Sequence, residues 1–167
     1  MSGHSRWSQI KRKKDITDQK RGQIFSKLST DITLAARKGT DIKTNVALAN
    51  AVEQAKSANM PNENIERAIK KVSEKDSAQL EEIAVEGIGP GGVVLRIKGI
   101  TDNKNRAVAE IKKIFLDHEV KMVNPGSISW MFNNPVQVNE QTQKKFNELF
   151  EALDDNDNVR DIASNLK

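Results

Sequence analysis

The chain has 167 residues, with 27 Lys+Arg against 23 Asp+Glu, two histidines, seven aromatics and no cysteine. That length holds one domain or two small ones and buries roughly 70% of the unfolded surface, while the lack of cysteine excludes disulfides, thiolate metal sites, iron–sulfur clusters and cysteine nucleophiles. The net charge of +4 is unevenly spread: residues 1–43 carry 11 Lys/Arg and 4 Asp, a net of +7; residues 44–135 carry 12 of each sign; residues 136–167 carry 4 and 7, a net of −3.

Residues 1–16 (MSGHSRWSQIKRKKDI) are polar and basic, with Trp7 and Ile10 the large apolar side chains before Ile16. They have too little apolar surface to offset ordering entropy alone, so a flexible arm is expected. From Asp18, Ile24, Phe25, Leu28, Ile32, Ala35 and Ala36 recur at helical spacing, with Gly39 as a C-terminal stop. Lys20, Arg21, Lys27 and Lys38 fall off that stripe. A second helix is expected over 45–59, with Val46, Ala49, Val52 and Ala55 inward, and Pro61 starts a third at its first position, carrying Ile65, Ala68, Ile69 and Val72. Residues 17–76 thus read as a helical domain.

The period then changes. Ile83, Val85 and Ile88 lead into a Gly/Pro turn, and Val93, Leu95, Ile97 and Ile100 follow, which predicts two strands in a hairpin. Asn103 to Asp117 reads as a helix, Ser127 to Phe132 as a strand, Glu140 to Leu153 as a helix and Val159 to Ala163 as a last short strand. Residues 77–167 are therefore expected to form a small ferredoxin-like sandwich with helices on one face of a mainly antiparallel sheet, and the fold class is α+β.

Gly87-Ile88-Gly89-Pro90-Gly91-Gly92 matches G-x-G-x-x-G, but the dinucleotide fingerprint needs a helix after it, and VVLRIKGI is a strand pattern. Pro90 also removes a backbone donor, so a hairpin turn explains the segment better. Glu81, Glu82 and Glu86 read as a solvated acidic edge, with no histidine or apolar pocket implied nearby. His118 follows Asp117 at a helix end, where the dipole favours a cation. No catalytic residue and no metal ligand set is assigned, and the two histidines, His4 and His118, are too far apart for a local metal motif. No segment approaches the ~18 apolar residues of a membrane span.

Lys11-Arg12-Lys13-Lys14, flanked by Arg6, Lys20, Arg21 and Lys27 and with Trp7 in their midst, carries the strongest signal. Lys and Arg neutralise phosphates, and a Trp stacks on an exposed base. A solubilising tail or a transit peptide is the competing reading; Asp15 and Asp18 argue against the latter.

GHSRW at 3–7, QKRGQIFSKL at 19–28, AARKG at 35–39, ANMPNENIERAIKK at 58–71, EGIGPGGVVL at 86–95, TDNKNRAVAEI at 101–111 and GSISWMF at 126–132 stand in the order and spacing of the YebC family, which the chain resembles over nearly its whole length. The resemblance begins at residue 3, which leaves an N-terminal targeting peptide unexpected. It implies a helical domain followed by ferredoxin-like domains, a role in gene expression, and neither cofactor nor metal. Family members are named probable transcriptional regulators, some of them described as binding promoter DNA; others act on the ribosome, including at proline-rich stretches. The family's third domain, inserted after the GSISWMF-like strand, is expected to be missing near 134–138.

Charge and motif together assign nucleic-acid binding to His4, Arg6, Trp7, Lys11, Arg12, Lys13, Lys14, Lys20, Arg21 and Lys27. The expectation is a cytoplasmic, monomeric, non-enzymatic regulator that binds ribosomal RNA, with DNA as the alternative target and no membrane or small-molecule partner. A protein-interaction module built on the acidic tail is a third reading.

Overall fold

The structure, a computed structural model, describes residues 18–73 and 79–167. The expected basic arm over 1–16, with His4, Arg6, Trp7, Lys11, Arg12, Lys13 and Lys14, lies outside the described residues. The described chain falls into two compact units, divided between Glu81 and Glu82.

The first unit holds three helices: α1 (Asp18–Ala36), α2 (Val46–Ser57) and α3 (Asn62–Lys70), the last running into a 3-10 turn at Lys71–Ser73. Its core joins Ile32 and Ala36 of α1, Leu48, Val52 and Ala55 of α2, Met60, and Ile65 and Ala68 of α3. Small residues at these contacts let the helices approach closely. The buried Thr33 hydroxyl donates to the Ala68 carbonyl at 2.8 Å and so ties α1 to α3. Asn45 serves two helix ends at once. Its Oδ1 accepts the Leu48 amide at 3.1 Å as the N-cap of α2, while its Nδ2 donates to the Ala35 and Gly39 carbonyls at 2.8 Å each.

Val52 and Ala55 of α2 face inward as expected, and the buried face departs from expectation at the first turn. Val46 is 73% exposed, whereas Leu48 is fully buried. An alanine-rich helix offers two stripes of similar apolarity, and only the partner decides between them. Pro61 also sits one position earlier than expected, as the N-cap of α3, where its carbonyl accepts the Ile65 amide at 3.2 Å.

The second unit is built from β1 (Glu81–Ile88, whose first residue belongs to the preceding unit), β2 (Val94–Thr101), α4 (Lys104–Asp117), β3 (Lys121–Val123), a 3-10 turn (Ser129–Asn133), α5 (Glu140–Asp154) and β4 (Val159–Ser164). The sheet order is β3-β1-β2-β4, with β3 antiparallel to β1 and β4 antiparallel to β2. Ile83 and Val85 of β1 and Leu95 and Ile97 of β2 alternate into one core with Ala107, Ile111 and Phe115 of α4 and Phe146, Leu149, Phe150 and Leu153 of α5. Each such aliphatic or aromatic side chain contributes roughly 1.5–3 kcal/mol by leaving water. Both helices lie on one sheet face, and the fold is α+β as the sequence predicts.

The glycine-rich segment is a turn between β1 and β2, as expected. Gly91 and Gly92 adopt φ of 74° and 76°, which favours glycine. Gly87 serves a different need: a Cβ there would come within 2.7 Å of Val120 and 2.8 Å of Phe115.

Two elements depart from expectation. The third strand is Lys121–Val123, pairing Glu86 with Val123 and Ile88 with Lys121, and Ser127–Phe132 is not a strand. A turn at Pro125–Gly126, with Gly126 at φ 89°, redirects the chain into the 3-10 turn Ser129–Asn133. Asn165 holds it there: the buried side chain accepts the Val94 amide at 2.8 Å and donates to the carbonyls of Gly92, Met131 and Asn134 at 3.3, 3.4 and 3.1 Å.

Candidate nucleic-acid interface

Of the ten residues the sequence assigns to nucleic acid, Lys20, Arg21 and Lys27 are described, all on α1. Lys20 and Lys27 are seven positions apart and project from one face of the helix, about 20° from each other at 100° per residue. Arg21 lies about 100° round from Lys20 and approaches Asp18 at 3.7 Å, both side chains largely in water. The helix therefore brings Lys20 and Lys27 together and leaves Arg21 aside.

Further cations come from a place the sequence reading passed over. Arg67, Lys70 and Lys71 at the end of α3 are all exposed, and their i, i+3, i+4 spacing sets them on one helix face. The signal was present in ERAIKK. On the same helix Glu63 and Glu66 are exposed, as is Glu53 on α2, so neither helix presents a uniformly basic surface to a duplex groove.

In the α+β unit, the sheet face opposite the helices carries an ion pair that corrects the expected acidic edge. Glu81 and Glu82 are exposed, but Glu86 is 2% exposed. Its Oε1 accepts from Arg96 Nε at 2.7 Å and its Oε2 accepts the Gly126 amide at 2.8 Å. The Arg96 guanidinium also donates to Ser129 Oγ at 3.3 Å and stacks on the Phe132 ring at 4.5 Å from its centroid. These contacts pin the 126–132 segment across the outer face of the sheet. Trp130, within that segment, stays 67% exposed, and an exposed indole of this kind is the side chain on which an unpaired base stacks.

His118 sits at the C-cap of α4, where its Nδ1 donates to the Ile114 carbonyl at 2.8 Å. Among the described residues no group of three or more His, Asp or Glu could hold a metal ion, and no helix is long and apolar enough to cross a membrane.

Residues 5–75 match the family model described as the TACO1/YebC protein N-terminal domain, and residues 80–135 match the TACO1/YebC second and third domain. A probable transcriptional regulatory protein of Thermoanaerobacter pseudethanolicus is 50% identical over 135 residues, covering 80% of this chain and 55% of that protein. One from Trichlorobacter lovleyi is 44% identical over 154 residues, covering 91% and 62%. One from Desulfosudis oleivorans is 43% identical over 165 residues, covering 98% and 63%. The chain thus spans 55 to 63% of the length of these relatives. The crystal structure of a conserved hypothetical protein, Aq1575 of Aquifex aeolicus, is similar with a TM-score of 0.83 at 30% identity, covering 98% of this chain and 97% of that one.

Proposed function

Because the chain belongs to the TACO1/YebC family, we propose that it is a non-enzymatic, nucleic-acid-binding regulator of gene expression in the cytoplasm, acting on ribosomal RNA to assist translation of difficult, proline-rich stretches. The observation that carries this reading is the net +7 confined to residues 1–43, with Trp7 set among the cations. Arg6, Lys11, Arg12, Lys13 and Lys14 supply phosphate contacts, Trp7 and His4 stack or pack against bases, and the Lys20/Lys27 face of α1 continues the track. Glu53, Glu63 and Glu66 on the two remaining helices favour a single-stranded or irregular RNA over a duplex groove.

Salt-dependent RNA binding by the full chain and by a Δ1–16 variant tests the reading. With five or six cations engaged on single-stranded RNA, log K falls with a slope of about −4 against log salt, and the deletion loses most of that slope. Equal affinity of the two proteins would sink it.

DNA is the second reading, favoured by the name that the relatives carry, probable transcriptional regulatory protein. Competition between ribosomal RNA fragments and duplex DNA separates the two, and a protected operator in a footprint reverses the ranking.

A further inference from the structure

An open groove of about 630 Å³ runs along the α+β unit between α4 and β3. Its lining is mainly apolar, with Val108, Val120 and Met122 at the base and Leu116, 65% exposed, on the rim. Lys112 and Lys121 flank it, both exposed and neither within ion-pair reach of a carboxylate among the described residues. The one carboxylate in the lining, that of Glu119, is held by Lys145 at 2.8 Å. β3 is also terminal in the order β3-β1-β2-β4, and among the described residues no strand pairs with its outer edge. A free edge presents backbone N–H and C=O groups that an incoming strand satisfies.

We propose that this groove docks an extended segment of a partner protein in which apolar and acidic side chains alternate, added as a strand to the free edge of β3. Alternation serves both sides of such a strand. Apolar side chains on its inner face cover Leu116 and Val108, and acidic ones on its outer face lie beside Lys121, with Lys112 supplying a second ammonium from the helix side. The charge balance selects this occupant. A nucleic acid is disfavoured because no aromatic side chain lines the groove for a base to stack upon. A second copy pairing through the same edge would set Lys121 near its own counterpart, a like-charge juxtaposition across strands. The docking site is independent of the nucleic-acid reading.

The test is a titration of the ¹⁵N-labelled full chain with an N-acetylated octapeptide of alternating glutamate and valine. Three comparisons accompany it: a lysine–valine counterpart, a glutamate–valine peptide N-methylated along one edge, and a short single-stranded RNA. The glutamate–valine peptide is expected to shift the amides of Lys121–Val123 and of Lys112–Leu116 and to slow hydrogen exchange in β3. Affinity should fall about ten-fold or more in the Lys112→Glu/Lys121→Glu and Leu116→Asp variants, and by a similar factor for the lysine–valine and N-methylated peptides. All three positions are exposed, so unchanged circular dichroism of the variants shows that the fold is kept. No shift at millimolar peptide, equal binding of the N-methylated peptide, concentration-dependent self-association through the same amides, or movement of those amides by RNA alone would each overturn the proposal.

Discussion

Arg96 and Glu86 face each other across neighbouring strands, the guanidinium Nε donating to the carboxylate at 2.7 Å, with the Glu86 side chain 3% exposed and that of Arg96 28% exposed. The second carboxylate oxygen takes the Gly126 amide, and the guanidinium reaches Ser129 and Phe132. One pair therefore fixes both the hairpin and the segment that crosses it. Removing one member leaves a nearly buried charge without its partner, which costs about 3 kcal/mol or more, while replacing both by apolar residues relieves much of that cost. Arg96→Met is expected to destabilise the α+β unit by about 3 kcal/mol, and the Glu86→Leu/Arg96→Met double variant by clearly less than the sum of the single changes. Denaturant unfolding of the three variants measures the coupling. Strict additivity would show that the pair carries no specific interaction.

Asn45 closes α1 and opens α2 with one side chain. Asn45→Ala removes an N-cap worth about 1 kcal/mol and leaves two carbonyls short of a donor, for a total of about 3 kcal/mol. Asn45→Asp keeps the cap acceptor but turns an anion toward the same carbonyls, so it is expected to rescue little. Thermal unfolding, with amide exchange read at Leu48, distinguishes the two losses.

The hydrogen bond from Lys145, and then the charge of that ammonium, hold the Glu119 carboxyl below its ordinary value of 4.5. A carboxyl depressed in the folded state stabilises the fold at pH values above its unfolded pKa and loses that contribution as pH falls through the folded pKa. Lys145→Met is expected to return the Glu119 midpoint toward 4.5. Carboxyl ¹³C shifts across an acid titration read this directly, and an unmoved midpoint would remove Lys145 as the cause.

Lys20 and Lys27 share one face of α1, and each phosphate contact on single-stranded RNA contributes about 0.7 to the salt slope. The Lys20→Ala/Lys27→Ala variant is therefore expected to reduce the slope by about 1.4, with Arg21→Ala changing it less because that side chain points elsewhere. Filter binding at several salt concentrations gives both numbers. An unaltered slope would place the contacts of α1 outside the interface.

Much of the fold was legible because the periodicities were long. The stripe Ala107, Ile111, Phe115 on α4 and the stripe Phe146, Leu149, Phe150, Leu153 on α5 are buried as their spacing demands. The interface was less legible. Lys20 and Lys27 share a face as a matter of helical geometry, but Arg67, Lys70 and Lys71 follow Glu63 and Glu66, which offset their charge along the chain, and Trp130 stands in an apolar alternation that reads as a strand.

The sequence by itself determined the helices, the hairpin and its glycine turn, the family, and the concentration of positive charge in the first 43 residues, because each is a local property of spacing or composition. Tertiary structure decided the rest. A strand of three residues, Lys121–Val123, is too short to show a period and exists through its pairing with Glu86–Ile88. Ile128, Trp130 and Phe132 alternate like a strand, yet the segment curls into a 3-10 turn because Asn165 donates its amide to the carbonyls of Met131 and of Asn134 at the turn's C-cap, and Arg96 stacks on Phe132. Glu86 reads as a surface acid until Arg96 and Gly126 close over it. In each case the deciding partner lies on another element, and a contact between distant segments leaves no period in the chain that makes it.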